Sequence, residues 1–336
     1  MRVFITGIAG FLGSRLAHYL VGQDHQVSGC DTLIGGYLEN IPEDAEFYQV
    51  DCQYLNAMKN LIADSDVVIH TACTAYEGLS VFSPHLVTQN TLQISSSVFG
   101  ACASNRTKRV INCSSMARYG FQETVPFTEE MIPKPLDPYG VSKLAAEQIL
   151  KILSQVHGFE YVNLVPHNII GAHQKYDDPF RNVAAIMINL MLRGKQPIVY
   201  GDGKQKRCFS DVRDIIPCFV QAMTAKAAVG QTINIGPDEE PITILALAEL
   251  IADIVNFKNL DPVFVASRPQ EVKFATCSAE KSRQIFGYKT QYSLRQTLEA
   301  MADWIERRGP KKFRYHLPVE IVNEKTPETW TKRLFP

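Results

Sequence analysis

A strand-like segment at the start of the chain runs directly into three evenly spaced glycines. Residues 2–6 (RVFIT) are followed by Gly7, Gly10 and Gly13 and then by a helix-like run to about residue 21. Glycines at a strand-to-helix turn let the backbone bend sharply and approach a pyrophosphate, and the helix N-terminus offers it free N–H groups and a positive dipole end. The Gly-x-x-Gly-x-x-Gly spacing is one residue wider than the common dinucleotide pattern. Its place between a strand and a helix nevertheless predicts a dinucleotide-binding β-α unit.

An acidic residue follows the second strand-like segment. Asp31 comes directly after residues 26–30 and about 20 residues past the glycines, where a carboxylate suits the hydroxyls of an adenosine ribose and repels a 2′-phosphate. This favours NAD over NADP. The alternative is a strand-end aspartate that caps a turn. Asp51, after residues 47–50, is expected to meet the adenine edge.

Strand-like and helix-like segments alternate through the first half of the chain. Residues 66–70 and 109–113 are apolar strands, and a helix is expected over 87–103. This alternation predicts an α/β fold with a doubly wound parallel sheet of Rossmann type and right-handed crossovers. Ligands of such sheets lie at the carboxyl ends of the strands, where the small residues 71–73 stand. His70 is interpreted as a strand-end residue rather than a ligand or base.

A tyrosine and a lysine lie four residues apart at the start of a predicted helix. Pro138 suits a first helical turn, so Tyr139 and Lys143 share one face of the helix. A shift of about three units from a phenol pKa near ~10 needs roughly 4 kcal/mol, which one close cation and a second positive group can supply. Taken alone, such a pair is more often an accident of a helix surface. Ser115, after the strand 109–113, opens onto the same crevice, where its hydroxyl can bond a substrate oxygen and the phenol together.

Composition excludes several classes of function. The net charge of −1 gives no electrostatic argument for nucleic acid or an anionic membrane. No apolar run approaches the ~20 residues of a membrane-spanning helix, and the chain begins with a strand rather than a signal peptide. The eight cysteines include no CxxC pair and no His-Cys metal spacing. We therefore expect a cytoplasmic protein with buried, reduced cysteines and no metal.

Motifs that carry a family resemblance are spread over most of the chain. They are Gly7/Gly10/Gly13, Asp31, Ser115, Tyr139-x3-Lys143, and the segments 167–171 (HNIIG), 200–207 (YGDGKQKR) and 268–272 (RPQEV). As a set they resemble the extended short-chain dehydrogenase/reductases, specifically the NAD-dependent sugar-nucleotide epimerase/dehydratase group. The resemblance covers about residues 1–308. It implies a Rossmann domain over 1–170, to which about 205–240 returns, a smaller C-terminal α/β nucleotide-sugar region over 171–308, and an extension of unknown role over 309–336.

The resemblance also implies roles for individual residues. Tyr139 is expected to be the catalytic base, Lys143 to hold the nicotinamide ribose and lower the pKa of Tyr139, and Ser115 to position the sugar hydroxyl. The expected NAD contacts are Gly7, Gly10, Phe11, Leu12, Gly13, Asp31, Asp51, Cys52, Thr71, Ala72, Cys73, Asn90, Cys113, Tyr139, Lys143 and His167, the last as a ring beside the nicotinamide. The expected contacts to a UDP-sugar are Ser115, Met116, Tyr139, Asn168, Asn182, Tyr200, Arg207, Arg268 and Glu271. A simple helix cap at Asn182 and solvated surface positions for the two arginines are the alternatives.

The implied chemistry is oxidation at a sugar carbon, turnover of the 4-keto sugar in the site and return of the hydride, which is C4 epimerisation of a UDP-hexose or UDP-N-acetylhexosamine. Family dehydratases carry an Asp-Glu pair where Met116 and Ala117 stand, and neither residue can move a proton. Arg118 leaves open a UDP-uronic acid 4-epimerase, or a structural ion pair. A 4-ketoreductase usually prefers NADPH, which Asp31 disfavours. A catalytically silent NAD-binding scaffold predicts a broken Ser/Tyr/Lys set, and the set is intact.

Two further expectations rest on the resemblance. Ala275 corresponds to a position where a bulky tyrosine excludes N-acetyl sugars and a small residue admits them, which favours UDP-GlcNAc/UDP-GalNAc interconversion. A homodimer through helices at about 87–104 and 140–157 is also expected.

Overall fold

The computed structural model describes residues 1–239 and 241–336. The strands are β1 (Arg2–Thr6), β2 (Gln26–Cys30), β3 (Glu46–Tyr48), β4 (Val67–His70), β5 (Arg109–Cys113), β6 (Glu160–Pro166), β7 (Ile169–Ile170), β8 (Ile198–Tyr200), β9 (Lys206–Arg207), β10 (Ser210–Asp211), β11 (Thr232–Ile235), β12 (Ile242–Thr243), β13 (Val263–Val265) and β14 (Phe274–Ala275). The α-helices are α1 (Phe11–Val21), α2 (Leu55–Leu61), α3 (Glu77–Ser80), α4 (Pro84–Thr88), α5 (Ile94–Asn105), α6 (Pro138–His157), α7 (Val183–Leu192), α8 (Val212–Ala222), α9 (Ile244–Ile254), α10 (Glu280–Phe286), α11 (Leu294–Arg308) and α12 (Glu328–Thr331). A π-helical turn, Gln89–Gln93, joins α4 to α5.

Seven parallel strands form the main sheet in the order β11-β6-β5-β4-β1-β2-β3. The order reverses at β1, so β2 and β4 lie on opposite sides of the first strand. Such a switch point opens a crevice at the carboxyl ends of the strands. The predicted Rossmann-type doubly wound sheet is confirmed. Strand β11, from the second half of the chain, completes the edge beside β6.

Alternating strand residues build a hydrophobic core on each face of the sheet. Phe4, Val68 and Val110 point to the side covered by α2, α5 and α6. Ile5 and Ile69 point to the side covered by α1 and α8. Because successive strand side chains alternate between the two faces, the central strands are apolar throughout and buried on both sides.

The remaining helices build a second core beside the carboxyl ends of the strands. Helices α7, α9 and α11 pack together through Met187, Leu247 and Leu298. Short strands between these helices pair with one another, as in the three-stranded sheet β12-β9-β14. Helix α10 falls within the predicted nucleotide-sugar region 171–308, but it packs on α8 and β11 and so lies with the main sheet. In the part of the chain that the structure describes, no helix is both long and apolar enough to cross a membrane.

A buried histidine joins β1, β4 and α5. Nδ1 of His70 lies 2.7 Å from the Thr6 hydroxyl, and Nε2 lies 3.0 Å from the Ser95 hydroxyl. Because Ser95 donates its own proton to the Thr91 carbonyl, it accepts from Nε2, and Nδ1 accepts from Thr6. Both nitrogens of the neutral ring are satisfied, whereas a second proton would displace the bond from Thr6. Burial, with a smaller contribution from Lys143, lowers the pKa of His70 to about 3.

We expect the protein to lose stability as the pH falls below the pKa of a free histidine side chain. The pKa of His70 is about 3 in the folded state and about 6.5 in the unfolded chain, so the unfolded state takes up the proton first between these values. From pH 7 to pH 5 this lowers the free energy of unfolding by about 2 kcal/mol. Urea unfolding of the wild type and of His70→Gln at both pH values measures the effect. The variant has no titrating imidazole, so its free energy of unfolding should lack this contribution to the pH dependence. An equal pH dependence in the two proteins would show that another group is responsible.

Candidate active site

A cavity of about 420 Å³, here called the central cavity, lies at the carboxyl ends of the main-sheet strands. The predicted site residues that line it are Gly7, Gly10, Phe11, Leu12, Gly13, Asp31, Thr71, Ala72, Cys73, Cys113, Ser115, Tyr139, Lys143, Asn168, Asn182, Tyr200, Arg207, Arg268 and Glu271. A neighbouring recess, the Asp51 recess, is lined by Asp51, Cys52 and Asn90. A third pocket, the Met116 pocket, shares Arg207, Arg268 and Asn168 with the central cavity. The fold thus gathers predicted residues that lie as much as 264 positions apart, from Gly7 to Glu271.

The glycine turn is shaped by one close backbone approach. Gly7 has φ +75°, and a Cβ on Gly13 would lie 2.1 Å from the Gly7 carbonyl oxygen. The first turn of α1 can therefore pack onto the end of β1 only without a side chain at position 13. The carboxylate of Asp31 accepts hydrogen bonds from the N–H groups of Ala9 (3.1 Å) and Leu33 (2.7 Å). Burial raises the pKa of Asp31, and these two N–H groups act against that rise.

The residues of the Asp51 recess are held by local contacts. Asp51 accepts from the backbone N–H of Gln53 (2.9 Å) and from its side-chain amide (3.0 Å). The Cys52 thiol lies 3.5 Å from that of Cys30, and no disulfide joins the two. Asn90 faces the recess from the π-helical turn, which sets its side chain apart from the regular α-helical register.

Tyr139 and Lys143 lie on one face of α6, where the helical spacing places them. Asp137 caps the helix by accepting from the Gly140 N–H (2.9 Å), and Pro138 occupies the first turn. Both site residues are enclosed, with exposed fractions of 5% for Tyr139 and 2% for Lys143. Lys143 Nζ donates to the Cys113 carbonyl (2.7 Å) at the end of β5 and lies 5.8 Å from the centre of the Tyr139 ring. The ammonium and the phenol therefore share one enclosed space.

The predicted lowering of the Tyr139 pKa is wrong for this structure. Burial raises the pKa of Tyr139 above its usual value, Cys73 adds to the rise, and the Ser115 hydroxyl acts against it. Lys143, which was expected to lower the pKa, is engaged with the Cys113 carbonyl. One cation so engaged does not offset the desolvation of a fully enclosed phenol. A second positive group beside the ring is needed to bring the pKa down, as the energetic argument from the sequence required.

Two arginines meet one carboxylate at the far end of the central cavity. Arg268 contacts Glu271 at 2.9 Å, and Arg207 contacts the same oxygen at 3.8 Å. Arg268 also lies over the Tyr200 ring, with its guanidinium carbon 4.7 Å from the ring centre. Two guanidinium groups sharing one carboxylate retain a net positive charge. This arrangement suits a phosphate group.

Sequence reasoning missed Glu77 and Arg181. Glu77 is open to both the central cavity and the Met116 pocket, and desolvation followed by the nearby Asp137 raises its pKa. Arg181 lies between the central cavity and the Asp51 recess, donates to the Gly35 carbonyl (2.6 Å) and pairs with Asp178 (3.4 Å). Arg181 directly precedes the predicted Asn182, but no local pattern marked Glu77 as a cavity residue. The extension supplies two further cavity residues, Trp330 and Phe335.

His167 is placed differently from its prediction. Its ring is buried, and Nε2 donates to the Pro237 carbonyl (2.6 Å) just beyond β11. The fit is close, because a Cβ on Gly236 would lie 2.7 Å from the ring. Among the residues that the structure describes, His167 lines none of the three pockets, so the expected position beside a nicotinamide is wrong. Burial lowers the pKa of His167, which keeps the ring neutral.

Three further predicted site residues can be compared with the contacts that their side chains make. Asn182 caps α7 by accepting from the Ala184 N–H (3.0 Å) and also lines the central cavity. Asn168 has φ +42° and donates its side-chain amide to the Cys208 carbonyl (2.9 Å). Arg118 forms a buried ion pair with Glu147 (3.0 Å) and lines neither the central cavity, nor the Met116 pocket, nor the Asp51 recess. Its charge is therefore not available to a ligand.

Comparisons with known proteins place this geometry among sugar-nucleotide enzymes. Residues 3–236 match the family model of the NAD dependent epimerase/dehydratase family. A UDP-glucose 4-epimerase from Mycolicibacterium smegmatis is 27% identical over 319 residues, which are 92% of this chain and 100% of the relative. The UDP-glucuronic acid 4-epimerase of Bacillus cereus, solved with UDP-glucuronic acid and NAD, has a TM-score of 0.85 at 27% identity over 92% of this chain and 100% of its own. The UDP-N-acetylglucosamine 4-epimerase of Methanobrevibacter ruminantium has a TM-score of 0.84 at 28% identity over 92% and 99% of the two chains.

Proposed function

The chain belongs to the NAD-dependent epimerase/dehydratase family, and we propose that it interconverts UDP-sugars that differ in configuration at C4, with NAD as its cofactor. The observation that carries this proposal is the course of the central cavity. It begins at the glycine turn, passes Ser115, Tyr139 and Lys143, and ends at Arg207 and Arg268. One set of acid-base side chains thus stands between a dinucleotide site and a phosphate site.

NAD fits the residues at the first end of the cavity. The close packing of Gly13 on the Gly7 carbonyl turns the N-terminal N–H groups of α1 toward a pyrophosphate. Asp31, oriented by two backbone N–H groups, presents a carboxylate to ribose hydroxyls and repels a 2′-phosphate. When bound, NAD supplies a nicotinamide that accepts a hydride from the sugar carbon and returns it.

Tyr139 is the residue that carries the proton. Oxidation at C4 requires the sugar hydroxyl to lose its proton while the carbon loses a hydride. Tyr139 can accept that proton only as the phenolate, so the step requires the second positive group beside the ring that brings its pKa down. The phenol gives it back to the same oxygen when the ketone is reduced on its other face, so there is no net redox change. Ser115 positions the sugar oxygen. Lys143 uses one N–H on the Cys113 carbonyl and keeps two donors for ribose and phenolate.

The far end of the cavity provides an anchor for the UDP group. Arg207 and Arg268 share Glu271 and retain the positive charge that a diphosphate requires. Beyond them, Ile186 and Ile198 form apolar walls on which a planar base can pack. An anchored UDP leaves the sugar free to turn between its two faces.

Local geometry disfavours two alternatives. Met116 and Ala117 line the pocket where family dehydratases carry an acid-base pair, and neither side chain can move a proton. A uronic acid substrate needs a free cation, but Arg118 is paired with Glu147. A neutral hexose or N-acetylhexosamine is the better fit.

The Met116 pocket has room for a 2-acetamido group. Ala275 forms part of its wall and packs with Met116, Phe127 and Val272. A small apolar residue here keeps open a space that a tyrosine would fill. We therefore propose a UDP-N-acetylhexosamine as the preferred substrate.

A panel of UDP-sugars tests the proposed reaction. Purified protein with NAD is incubated with UDP-glucose, UDP-GlcNAc or UDP-glucuronic acid, and the products are identified by proton NMR. We expect the C4 epimer of a neutral sugar without a 4-keto-6-deoxy signal. Tyr139→Phe removes only the phenol oxygen and should lower turnover by about 10²–10⁴-fold while bound NAD is unchanged. A 4-keto-6-deoxy product, epimerisation of UDP-glucuronic acid alone, or full activity of the variant contradicts the mechanism.

Ala275→Tyr tests the choice of sugar. We expect kcat/KM for UDP-GlcNAc to fall at least about tenfold relative to UDP-glucose, because the phenol occupies the acetamido space. The two substrates are measured on the same variant, so a general loss of folding or NAD binding cancels in the ratio. An unchanged ratio would remove Ala275 as a determinant of specificity.

We further propose a cytoplasmic homodimer formed through α5 and α6. All eight cysteines are free of disulfides, which supports the location. Three apolar side chains exposed on α6 support the dimer: Val141 (51%), Ile152 (58%) and Val156 (70%). Light scattering should give about twice the chain mass of 37.6 kDa. Ile152→Glu should shift the mass toward the monomer, because it places a charge in the interface. A monomeric wild type would refute this assembly.

A further inference from the structure

The C-terminal extension, residues 309–336, packs against the body of the protein. The solved UDP-glucuronic acid 4-epimerase corresponds over its whole length to 92% of this chain, which leaves about 27 of 336 residues without a counterpart. The extension is about as long as that remainder. The extension also reaches the central cavity, through Trp330 and Phe335.

One part of the extension is bound to the cofactor side of the cavity. The Ser83 hydroxyl donates to the Pro318 carbonyl (2.8 Å), and the N–H of Ile321 donates to the Phe82 carbonyl (2.8 Å). Glu320 accepts from the free N–H groups of His85 (3.0 Å) and Leu86 (2.8 Å) at the start of α4. The extension therefore caps a helix of the first half of the chain.

Other parts are bound to the nucleotide-sugar side. Asn189 on α7 exchanges hydrogen bonds with the backbone of Lys311 (2.8 and 3.0 Å). The hydroxyls of Thr329 and Tyr200 lie 2.5 Å apart. Because Arg268 lies over the Tyr200 ring, Thr329 helps to position the arginine of the phosphate anchor. The extension thus spans both sides of the cavity.

Trp330 and Phe335 are the side chains by which the extension enters the cavity wall. The Trp330 ring is 6% exposed and packs between Phe82 (5.9 Å between centres) and Phe180 (5.3 Å). The far edge of this ring and the Arg268 guanidinium both approach Gly78. Phe335 packs with Ile186 and Ile198, the apolar walls beyond the arginines. The two aromatic side chains therefore lie between the arginines that suit the diphosphate and the apolar walls that suit the nucleotide base.

We propose that the extension is a built part of the nucleotide end of the substrate site, with Trp330 and Phe335 contacting the nucleoside diphosphate and Thr329 positioning Arg268 through Tyr200. This inference rests on the proposed function, because it assumes that the arginines bind the diphosphate of the substrate. It differs from a purely structural role, in which the extension stabilises the fold but does not sense the ligand.

The two tryptophans of the chain provide a direct test. Trp304 packs on Tyr176 (5.3 Å) and lines none of the three pockets described above, so it is the matched control for Trp330. UDP is titrated into NAD-loaded Trp304→Phe, which reports on Trp330 alone, and into Trp330→Phe, which reports on Trp304 alone. We expect UDP to change the emission of the first protein and not that of the second. A response confined to Trp304 would overturn the proposal.

Calorimetry separates failure of this inference from failure of the proposed function. We expect Kd for UDP to rise about tenfold in Trp330→Ala and to stay unchanged in Trp304→Phe, with KM raised and kcat retained in the former because the reacting atoms lie at the other end of the cavity. If Trp330→Ala does not fold, Thr329→Val, which removes one hydroxyl, should still raise Kd. UDP binding that is equally tight in every variant would overturn the inference and leave the epimerase intact. A wild type that does not bind UDP would overturn the proposed function itself.

Discussion

The buried face of α6 carries Tyr139 and Lys143 and also binds the loop that supplies Ser115 to the same site. Tyr139, Lys143 and Glu147 follow one another at intervals of four residues and are all enclosed. Lys143 binds the carbonyl that ends β5, and Glu147 accepts from Ser114 and pairs with Arg118. A buried charge without such partners costs several kcal/mol. Contacts from α6 to Ser114 and to Arg118 therefore hold the segment that carries Ser115 before and after that residue. Arg118 is thus a positioning residue and does not bind the ligand.

The parts of the site that were predictable from the sequence depend on short-range geometry. The Asp137 cap and Pro138 determine where α6 begins, and the helical repeat then places Lys143 one turn beyond Tyr139. The glycine turn works in the same way, because the contact of Gly13 with the Gly7 carbonyl is made within seven residues. Strand alternation predicts a doubly wound parallel sheet for a similar reason: each crossover joins segments that follow one another in the chain.

The parts that were not predictable depend on which distant segments meet. His167 turns to a carbonyl 70 residues away, because β11 returns to the sheet beside β6. The partner of Arg118 lies on a different helix, and Glu77 has no periodic pattern that would mark it as a cavity residue. The pKa of Tyr139 depends on how completely the surrounding segments enclose it, and enclosure outweighs a neighbouring cation that is already engaged. Spacing identifies the residues of such a site but does not describe their electrostatic surroundings.

The extension links the two ends of the cavity more directly than the sheet does. Glu320 accepts hydrogen bonds from the first turn of α4. Helix α4 leads into the π-helical turn, where Asn90 lines the Asp51 recess. Nine residues later, Thr329 holds Tyr200 beneath Arg268. One short segment therefore contacts both the helix that leads to the Asp51 recess and the tyrosine beneath the phosphate anchor. These contacts are made within the chain itself and order this part of the cavity wall. A wall that is already ordered loses less conformational entropy when a ligand binds to it.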